Sequence, residues 1–249
     1  MTGLGTLINV ITILIGGMAG LVLKRFLSAR ITETVMQGVG LAVIVIGISG
    51  ALSAAYTFID GNITSDYILI MIISLAAGAL IGEFLKIEGK LDAFAKLSES
   101  KFMKPGGESS AFSQGFVTAA LVFCVGSMAI VGALEDGVNN NRDILFAKSA
   151  LDGITAMIFA STMGIGVLFS AVAVGIYQGT LTLLSVFIAP HLSDTVVTQM
   201  SLIGSVLIMA IGFNLLKIAK IKAGNLLPAI FIPAIYHLIR ILISAELFT

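Results

Sequence analysis

The sequence predicts an all-α membrane protein of about seven or eight spanning helices, on three observations. Hydrophobic residues make up 57% of the chain and charged residues only 11%, whereas a soluble domain carries about 25% charged residues. The mean hydropathy is +1.07. Most of the 14 Lys and Arg residues fall in three clusters between long apolar runs. Such a chain cannot cover itself with a polar surface, so we expect a single transmembrane domain over residues 1–249, with the lipid bilayer as its surroundings.

The first half of the chain contains three apolar runs of the length that a spanning helix needs, about 20 residues. They are Gly5 to Leu23, Thr34 to Tyr56 and Tyr67 to Leu85. Residues 86–110 then form a charged linker that carries a partly helical apolar stripe. This pattern is typical of an amphipathic helix on the membrane surface, which we place between helices three and four.

The second half contains a fourth run, from Phe112 to Leu134, and a stretch from Ile154 to Pro190 that is too long for one helix. We predict a break at Gly175–Gly179, which gives a fifth helix and a shorter sixth helix. The seventh and eighth helices are predicted at Val196–Leu216 and Leu226–Leu247. A sixth helix that only re-enters the membrane would leave seven spans.

The basic residues orient the chain in the membrane. Their three clusters are Lys24, Arg25 and Arg30; Lys86, Lys90, Lys96, Lys101 and Lys104; and Lys217, Lys220 and Lys222. Cytoplasmic loops of membrane proteins collect positive charge in this way. Eight spans put all three clusters on one side, which we assign to the cytoplasm, and leave both termini facing outward.

A weak internal repeat is visible in the helix ends. Gly16 and Gly20 precede Lys24 with the same spacing by which Gly78 and Gly82 precede Lys86. Helices two, four and six each open near a Gln-Gly pair. The pattern favours a two-helix hairpin used repeatedly, and small residues four apart also let helix backbones approach closely in lipid. Chance likeness among Gly-rich membrane helices explains the same spacing.

Ionisable and polar residues within the apolar runs are the main functional signal, because burying a charge in lipid costs several kcal/mol unless it is paired or hydrated. Glu83 lies three residues before Lys86, and Asn214 occupies the matching place before Lys217. We expect these two side chains to lie at equivalent depths and to help line one polar site. The alternative is that Glu83 only extends to the lipid headgroups.

A second group of charges lies around the predicted start of the fifth helix. Asp152 follows Lys148 by four residues, so the two side chains share a helix face and can pair. Glu135 and Asp136 end the fourth helix and could attract cations to an entrance beside that pair. A plain ion pair and ordinary loop charges are the simpler interpretations.

Two helices carry residues that could interrupt them. Gly126-Ser127 and Gly132 lie within the fourth run, and Ser161–Gly166 lies within the fifth. An unwound helix would free backbone carbonyls for an ion, although irregular backbone survives at membrane depth only where it is buried or lines a cavity. Tight helix packing explains the same residues without a ligand. Asn9 in the first helix is interpreted as an interhelical hydrogen bond.

Enzymatic chemistry has little support in the sequence. No hydrolase, kinase, haem or P-loop pattern occurs, and His191 and His237 are not in metal-ligand spacing. Cys124 stands alone and cannot form an intrachain disulfide. We therefore expect no enzyme activity and no cofactor, and the zero net charge argues against a nucleic-acid partner.

Several segments resemble a known family. They are GALIGEFLK at Gly78–Lys86, QGFVTAALVFCVGSMAIVGALEDG at Gln114–Gly137, KSALDGITAMIFASTMGIG at Lys148–Gly166, IGFNLLK at Ile211–Lys217 and NLLP at Asn225–Pro228. The chain resembles, over most of its length, the uncharacterised bacterial inner-membrane family known as domain of unknown function 554. The resemblance implies a multi-pass bacterial membrane protein, often described only as a transport protein. It implies no substrate and no functional residues.

The residues themselves favour a secondary transporter that moves a small solute or cation by alternating access around a polar site between repeats. Glu83, Asp152 and Asn214 would line this site, with Ser127 and broken backbone nearby and Glu135 at the entrance. The alternatives are an oligomeric cation channel with an acidic outer rim and a scaffold protein that transports nothing. The expected partners are the lipid bilayer, the small solute or cation and, for an oligomer, further copies of the chain.

Overall fold

The computed structural model describes residues 2–59, 62–65, 67–90, 93, 109–189 and 192–246, which are mainly helical. The helices are α1 (Leu4–Lys24), α2 (Ala29–Ala55), α3 (Ile68–Leu85), α4 (Ser109–Cys124), α5 (Ser127–Val138), α6 (Asp143–Met163), α7 (Gly166–Leu183), the short α8 (Ser185–Ile188), α9 (Asp194–Leu215), a 3-10 helix (Ala223–Phe231) and α10 (Ile232–Glu246). Strands β1 (Thr57–Ile59) and β2 (Asn62–Thr64) form an antiparallel hairpin that joins α2 to α3.

The predicted class of a helical multi-span membrane protein is confirmed. Among the described residues, six helices are long and apolar enough to cross a membrane, namely α1, α2, α3, α6, α7 and α9, and the bent pair α4–α5 would be a seventh span. The predicted eighth helix is divided, because Pro228 falls inside the 3-10 helix and Pro233 is the second residue of α10. Proline removes a backbone donor and fixes φ, which favours a change of helix type there.

Two close helix pairs form the frame of the bundle. In the parallel pair α1–α6, a Cβ on Gly16 would lie 2.0 Å from the backbone oxygen of Gly153. In the antiparallel pair α2–α9, a Cβ on Gly47 would lie 2.6 Å from the backbone nitrogen of Met209. Only glycine permits backbones to approach this closely. Small residues therefore give both pairs their tight contact. The predicted repeat of a two-helix hairpin stays a prediction.

The described residues of the three basic clusters gather at one end of the bundle, which we call the basic end. Lys24 ends α1, and a single cavity is lined by Lys24 of the first cluster and Lys217 of the third. The Glu83 carboxylate at the end of α3 accepts a 3.0 Å hydrogen bond from Lys222 Nζ. The second cluster, which begins at Lys86, follows α3 directly and so belongs to the same end. The β1–β2 hairpin marks the opposite end, called the hairpin end.

The rest of the second basic cluster is only partly visible. Residues 87–90 are helical, while Lys96, Lys101 and Lys104 and most of the predicted amphipathic linker lie outside the described residues. The common location of the clusters is thus established for the part of the chain that the structure describes.

The predicted break at Gly175–Gly179 is wrong. The chain turns at Gly164, whose φ of +83° favours glycine, so that α6 ends at Met163 and α7 begins at Gly166. Gly175 and Gln178 instead lie inside α7. The fifth helix also begins at Asp143 rather than Ile154, because Lys148 and Asp152 pair within it and do not require a loop. This stretch still forms two long helices, so moving the break does not alter the predicted orientation of the basic clusters.

The predicted interruption at Gly126-Ser127 is confirmed, whereas Gly132 lies inside α5 and does not break it. Helix α4 ends at Cys124, and α5 begins at Ser127 with its axis turned by 58°. Gly126 has φ +119° and ψ 152°, a combination that is essentially restricted to glycine. The fourth span is therefore a broken helix whose bend depends on one residue.

Candidate functional site

A buried ion pair lies in the second and third turns of α6. Lys148 is 5% exposed and Asp152 is 7% exposed, and Nζ of Lys148 bonds Oδ2 of Asp152. The four-residue spacing puts both side chains on one helix face, which confirms the predicted pair. Two charges in a low-dielectric interior persist only when they are paired and further hydrogen-bonded.

The further hydrogen bonds to this pair come from α1. The side-chain amide of Asn9 donates to Oδ2 of Asp152 at 3.0 Å and to Oε1 of Gln178 on α7 at 3.1 Å. Asn9 and Gln178 are both fully buried. The interhelical hydrogen bond predicted for Asn9 is thus confirmed, and it links three helices. Among the described residues, Oδ1 of Asn9 and Nε2 of Gln178 have no hydrogen-bond partner.

Asp136, at the end of α5, differs from the expectation of an acid that faces the entrance. It is fully buried and accepts hydrogen bonds from the backbone N–H of Gly5 at 3.1 Å and from Nε of Arg142 at 3.1 Å. These bonds fasten the start of α1 to the end of α5, because a helix N-terminus offers unpaired N–H groups to a carboxylate. Of the two predicted entrance acids, only Glu135 remains near solvent, where it accepts a hydrogen bond from Asn139.

The break between α4 and α5 opens onto a cavity of about 520 Å³, which we call the ion-pair cavity. Gly126 lines it from the break, while Lys148 and Asp152 line it from α6. Five hydroxyl groups from α2, α6 and α9 also line it: Ser53, Thr155, Thr198, Ser201 and Ser205. Ser53 lies in the last turn of α2, next to the β hairpin, and Thr198 lies in the second turn of α9. The cavity therefore occupies the half of the bundle nearest the hairpin end.

A second cavity, of about 560 Å³, lies at the basic end and is called the basic-end cavity. Its lining includes Gln114 and Thr118 on α4, Ile211 and Asn214 on α9, and the loop of residues 219–224. The two cavities therefore contact the same two helices from opposite directions.

A short apolar barrier separates the two cavities. Ile208 lines the ion-pair cavity and Ile211 lines the basic-end cavity, so the change from one to the other takes three residues, a little under one helical turn or roughly 4.5 Å. On α4 the corresponding residues are Thr118, which lines the basic-end cavity, and Val122, which lines the ion-pair cavity, with the buried Leu121 between them. Ile208, Ile211, Thr118 and Leu121 are 2–4% exposed.

The structure divides the predicted site residues between the two ends. Asp152 lines the ion-pair cavity, and Ser127 begins α5 beside it, although its side chain lies outside the described part of the chain. Glu83 and Asn214 both lie at the basic end and so are not brought together with Asp152. Glu135 lies at the hairpin end, on the last turns of α5.

Glu83 and Asn214 make local contacts at the basic end. The Glu83 carboxylate also accepts a 2.6 Å hydrogen bond from the side-chain amide of Asn225, so it faces protein and joins α3 to the 3-10 helix. Asn214 bonds both backbone groups of Ile221, at 2.7 and 2.8 Å, and closes the loop after α9. Asn214 nevertheless lines the basic-end cavity.

Sequence reasoning missed Gln178 and the hydroxyl lining of the ion-pair cavity. Ser201 and Ser205 on α9 are four residues apart, and Thr198 is three residues before Ser201, so they share a helix face. That periodicity in an apolar run was a readable signal. Gln178 was assigned to a loop because it adjoins Gly179.

Together these features define a multi-pass helical membrane protein with a polar cavity at a broken helix. The chain belongs to the family described as "Protein of unknown function (DUF554)", which matches residues 4–238. It is 30% identical to the uncharacterised membrane protein YdfK of Bacillus subtilis (strain 168) over 93% of this chain and 94% of that protein. It is 31% identical to the uncharacterised protein YqgA of Escherichia coli (strain K12), over 92% of this chain and 94% of that protein. No solved structure gives a significant match.

Proposed function

We propose that this protein is a secondary transporter of a small solute, which binds in the ion-pair cavity and crosses the membrane by alternating access. The observation that carries the proposal is the pair of cavities at opposite ends of the bundle, separated by one turn of buried residues on α4 and α9. A carrier needs a site that can open to either side through a thin barrier, and this arrangement supplies one.

The broken helix supports the same function. Irregular backbone at membrane depth is tolerated where it lines a cavity, and transporters commonly place such a break at the substrate site. Val125 and Gly126 both line the ion-pair cavity. Gly126 therefore combines two properties of a hinge: a backbone conformation that other residues avoid and a position at the site itself.

The packing of the bundle offers two units that could move against each other. The close pairs α1–α6 and α2–α9 lie on opposite sides of the ion-pair cavity, because Lys148 and Asp152 come from one pair while Ser53 and Ser205 come from the other. Tight glycine contacts hold each pair together. Rocking of one pair against the other would close the cavity at the hairpin end and open it toward the basic end.

We assign the basic end to the cytoplasm by the positive-inside rule, and the protein to the bacterial inner membrane. The ion-pair cavity then faces the external side in this structure. The basic-end cavity faces the cytoplasm.

Alternating access can be tested without knowledge of the solute. Ile208 lines the ion-pair cavity just outside the barrier, so in a Cys124→Ala background we would introduce Ile208→Cys and reconstitute the protein in liposomes. A membrane-impermeant maleimide should label position 208 from the external side and, when the bundle rocks, from the cytoplasmic side as well.

A disulfide staple provides the decisive step. A Cβ on Gly204 would lie 3.2 Å from Cβ of Val125, close to the roughly 3.5–4.5 Å range of disulfides. Oxidised Val125→Cys plus Gly204→Cys should fix α9 to the helix break and abolish only the cytoplasmic labelling of position 208. Reduction should restore it.

The matched control staple lies inside one rigid pair. A Cβ on Gly153 would lie 3.2 Å from Cβ of Thr12, which joins α1 to α6 with the same geometry. Thr12→Cys plus Gly153→Cys should leave the labelling from both sides unchanged. Labelling that the first staple does not alter would favour a channel, and no cytoplasmic labelling in any variant would overturn the proposal in favour of a scaffold.

A further inference from the structure

We infer that the solute is a small α-amino acid with an uncharged, polar side chain, bound as a zwitterion between Lys148 and Asp152. This inference rests on the proposed transport function and specifies its substrate class. In the bound state the ion pair opens: the amino-acid carboxylate takes the place of Asp152 beside Lys148, and the amino-acid ammonium takes the place of Lys148 beside Asp152.

Charge balance favours a zwitterion over an ion. Lys148 and Asp152 are the only ionisable residues among the described residues that line the ion-pair cavity, so the empty site is neutral. A cation alone would leave one net positive charge at membrane depth and an anion one net negative charge, and either costs several kcal/mol without a further partner. A zwitterion matches each charge with an opposite one and keeps the site neutral.

The broken helix adds a second, independent match to the same ligand. An α-helix leaves its first N–H groups and its last carbonyl groups without intrahelical partners. At this break the last turn of α4 and the first turn of α5 both border the cavity, through Val122 and Met128. The positive start of α5 suits a carboxylate, and the carbonyl end of α4 suits an ammonium group.

Asn9 explains how the pair could open without leaving a bare carboxylate. Its side-chain amide bonds Oδ2 of Asp152, the same oxygen that Lys148 bonds. When Lys148 turns to the ligand, Asp152 keeps this hydrogen bond and its orientation. Asn9 is thus a positioning residue: it holds Asp152 and lies outside the cavity lining.

The cavity also limits the side chain of the ligand. Its volume of about 520 Å³ falls within the roughly 300–1,000 Å³ range of small-molecule sites. Hydroxyl groups from Thr155, Ser201 and Ser205 offer donors and acceptors to a small polar side chain. A charged side chain would require a third ionisable residue, which the described lining lacks.

The test uses three compounds that differ by one charged group each. Liposomes that contain the purified protein and unlabelled L-serine inside are given labelled L-serine outside, and exchange is measured. Ethanolamine, which lacks the carboxylate, and 3-hydroxypropionate, which lacks the ammonium group, serve as matched internal substitutes. We expect L-serine inside the liposomes to raise the uptake of labelled L-serine about tenfold or more over liposomes without an internal solute. Neither analogue inside should raise this uptake.

Variants connect the result to the pair. Lys148→Gln and Asp152→Asn should each abolish L-serine exchange, while Glu83→Gln, which changes the exposed acid at the basic end, should leave it unchanged. Size-exclusion profiles and formation of the Thr12–Gly153 control staple would show that each variant is folded. A conservative exchange, Asp152→Glu, should restore part of the activity if the role is binding.

The outcomes separate this inference from the proposed function. Exchange with ethanolamine as efficient as with L-serine would overturn the zwitterion assignment in favour of a cation carrier. The absence of exchange for L-serine and L-threonine, with intact two-sided labelling of position 208, would overturn the substrate class and leave alternating access standing. The absence of both exchange and two-sided labelling would overturn both.

Discussion

Two acid–lysine pairs in this bundle have the same chemistry and opposite surroundings. Asp152 bonds Lys148 and Asn9, and Glu83 bonds Lys222 and Asn225. The side chains of the first pair are 6% and 10% exposed, whereas those of the second pair are 63% and 62% exposed. A lysine, a carboxylate and an asparagine therefore do not by themselves define a site.

The difference between the pairs lies in the cost of changing them. At the basic end, water replaces any partner that is lost, and an exposed ion pair contributes little to stability. Within the bundle, a lost partner leaves a charge with no replacement except a ligand. We conclude that the buried pair is suited to exchange its partners with a solute, and that the exposed pair fastens α3 to the chain after α9.

The largest predicted effect is that of Asp152→Asn. Removing one partner of a buried ion pair destabilises a protein by about 3–5 kcal/mol, because the other charge stays buried. We expect a large fall in thermal stability, measured in detergent, and complete loss of L-serine exchange, measured in liposomes.

A double variant sharpens this result. Lys148→Met plus Asp152→Leu replaces both charges by apolar groups, which is often neutral for stability. We expect the fold to recover and exchange to remain absent. Exchange by this double variant would show that the pair is only structural.

Gly126→Ala should have an intermediate effect. An alanine with the φ and ψ angles of Gly126 costs on the order of 1–3 kcal/mol. This strain lies at the break between α4 and α5, which we propose as the hinge. We expect slower exchange and slower cytoplasmic labelling of position 208. Gly3→Ala is the matched control, since Gly3 also has a positive φ, +87°, but lies at the start of α1 with nothing within 4 Å of an added Cβ. It should leave both rates unchanged.

The smallest effect is predicted for Glu83→Gln. The exposed carboxylate can be replaced by water around Lys222, so exchange and thermal stability should stay within experimental error of the parent protein. If folded Glu83→Gln protein lost exchange, the Glu83–Lys222 pair would lie on the transport path. The exposure of an ion pair would then not distinguish a structural pair from a transport site in this protein.

The same contrast shows how far the sequence could be read. The fold class followed from composition, and the Lys148–Asp152 pair followed from local helical spacing, which needs no tertiary information. The matching positions of Glu83 and Asn214 placed both residues at one end of the bundle but said nothing about their distance from Asp152, because that depends on which helices pack together. The ion-pair cavity is built by five helices, so no local pattern could reveal it.

Hydropathy also misplaced two helix boundaries for a physical reason. It treats Lys148 and Asp152 as loop residues, although their mutual neutralisation lets both lie inside α6. It likewise treats Gly175 and Gln178 as a break, although Gln178 bonds Asn9 across the helix interface. The partner of Gln178 is distant in sequence, which a hydropathy pattern cannot detect.

The most direct test of the account is the labelling of Ile208→Cys from the two sides of the membrane, with and without the Val125–Gly204 staple. We predict labelling from both sides in the reduced protein and from the external side alone in the oxidised protein. Equal labelling from both sides after oxidation would contradict a moving barrier between the two cavities, and with it the proposal that the buried pair carries a solute across.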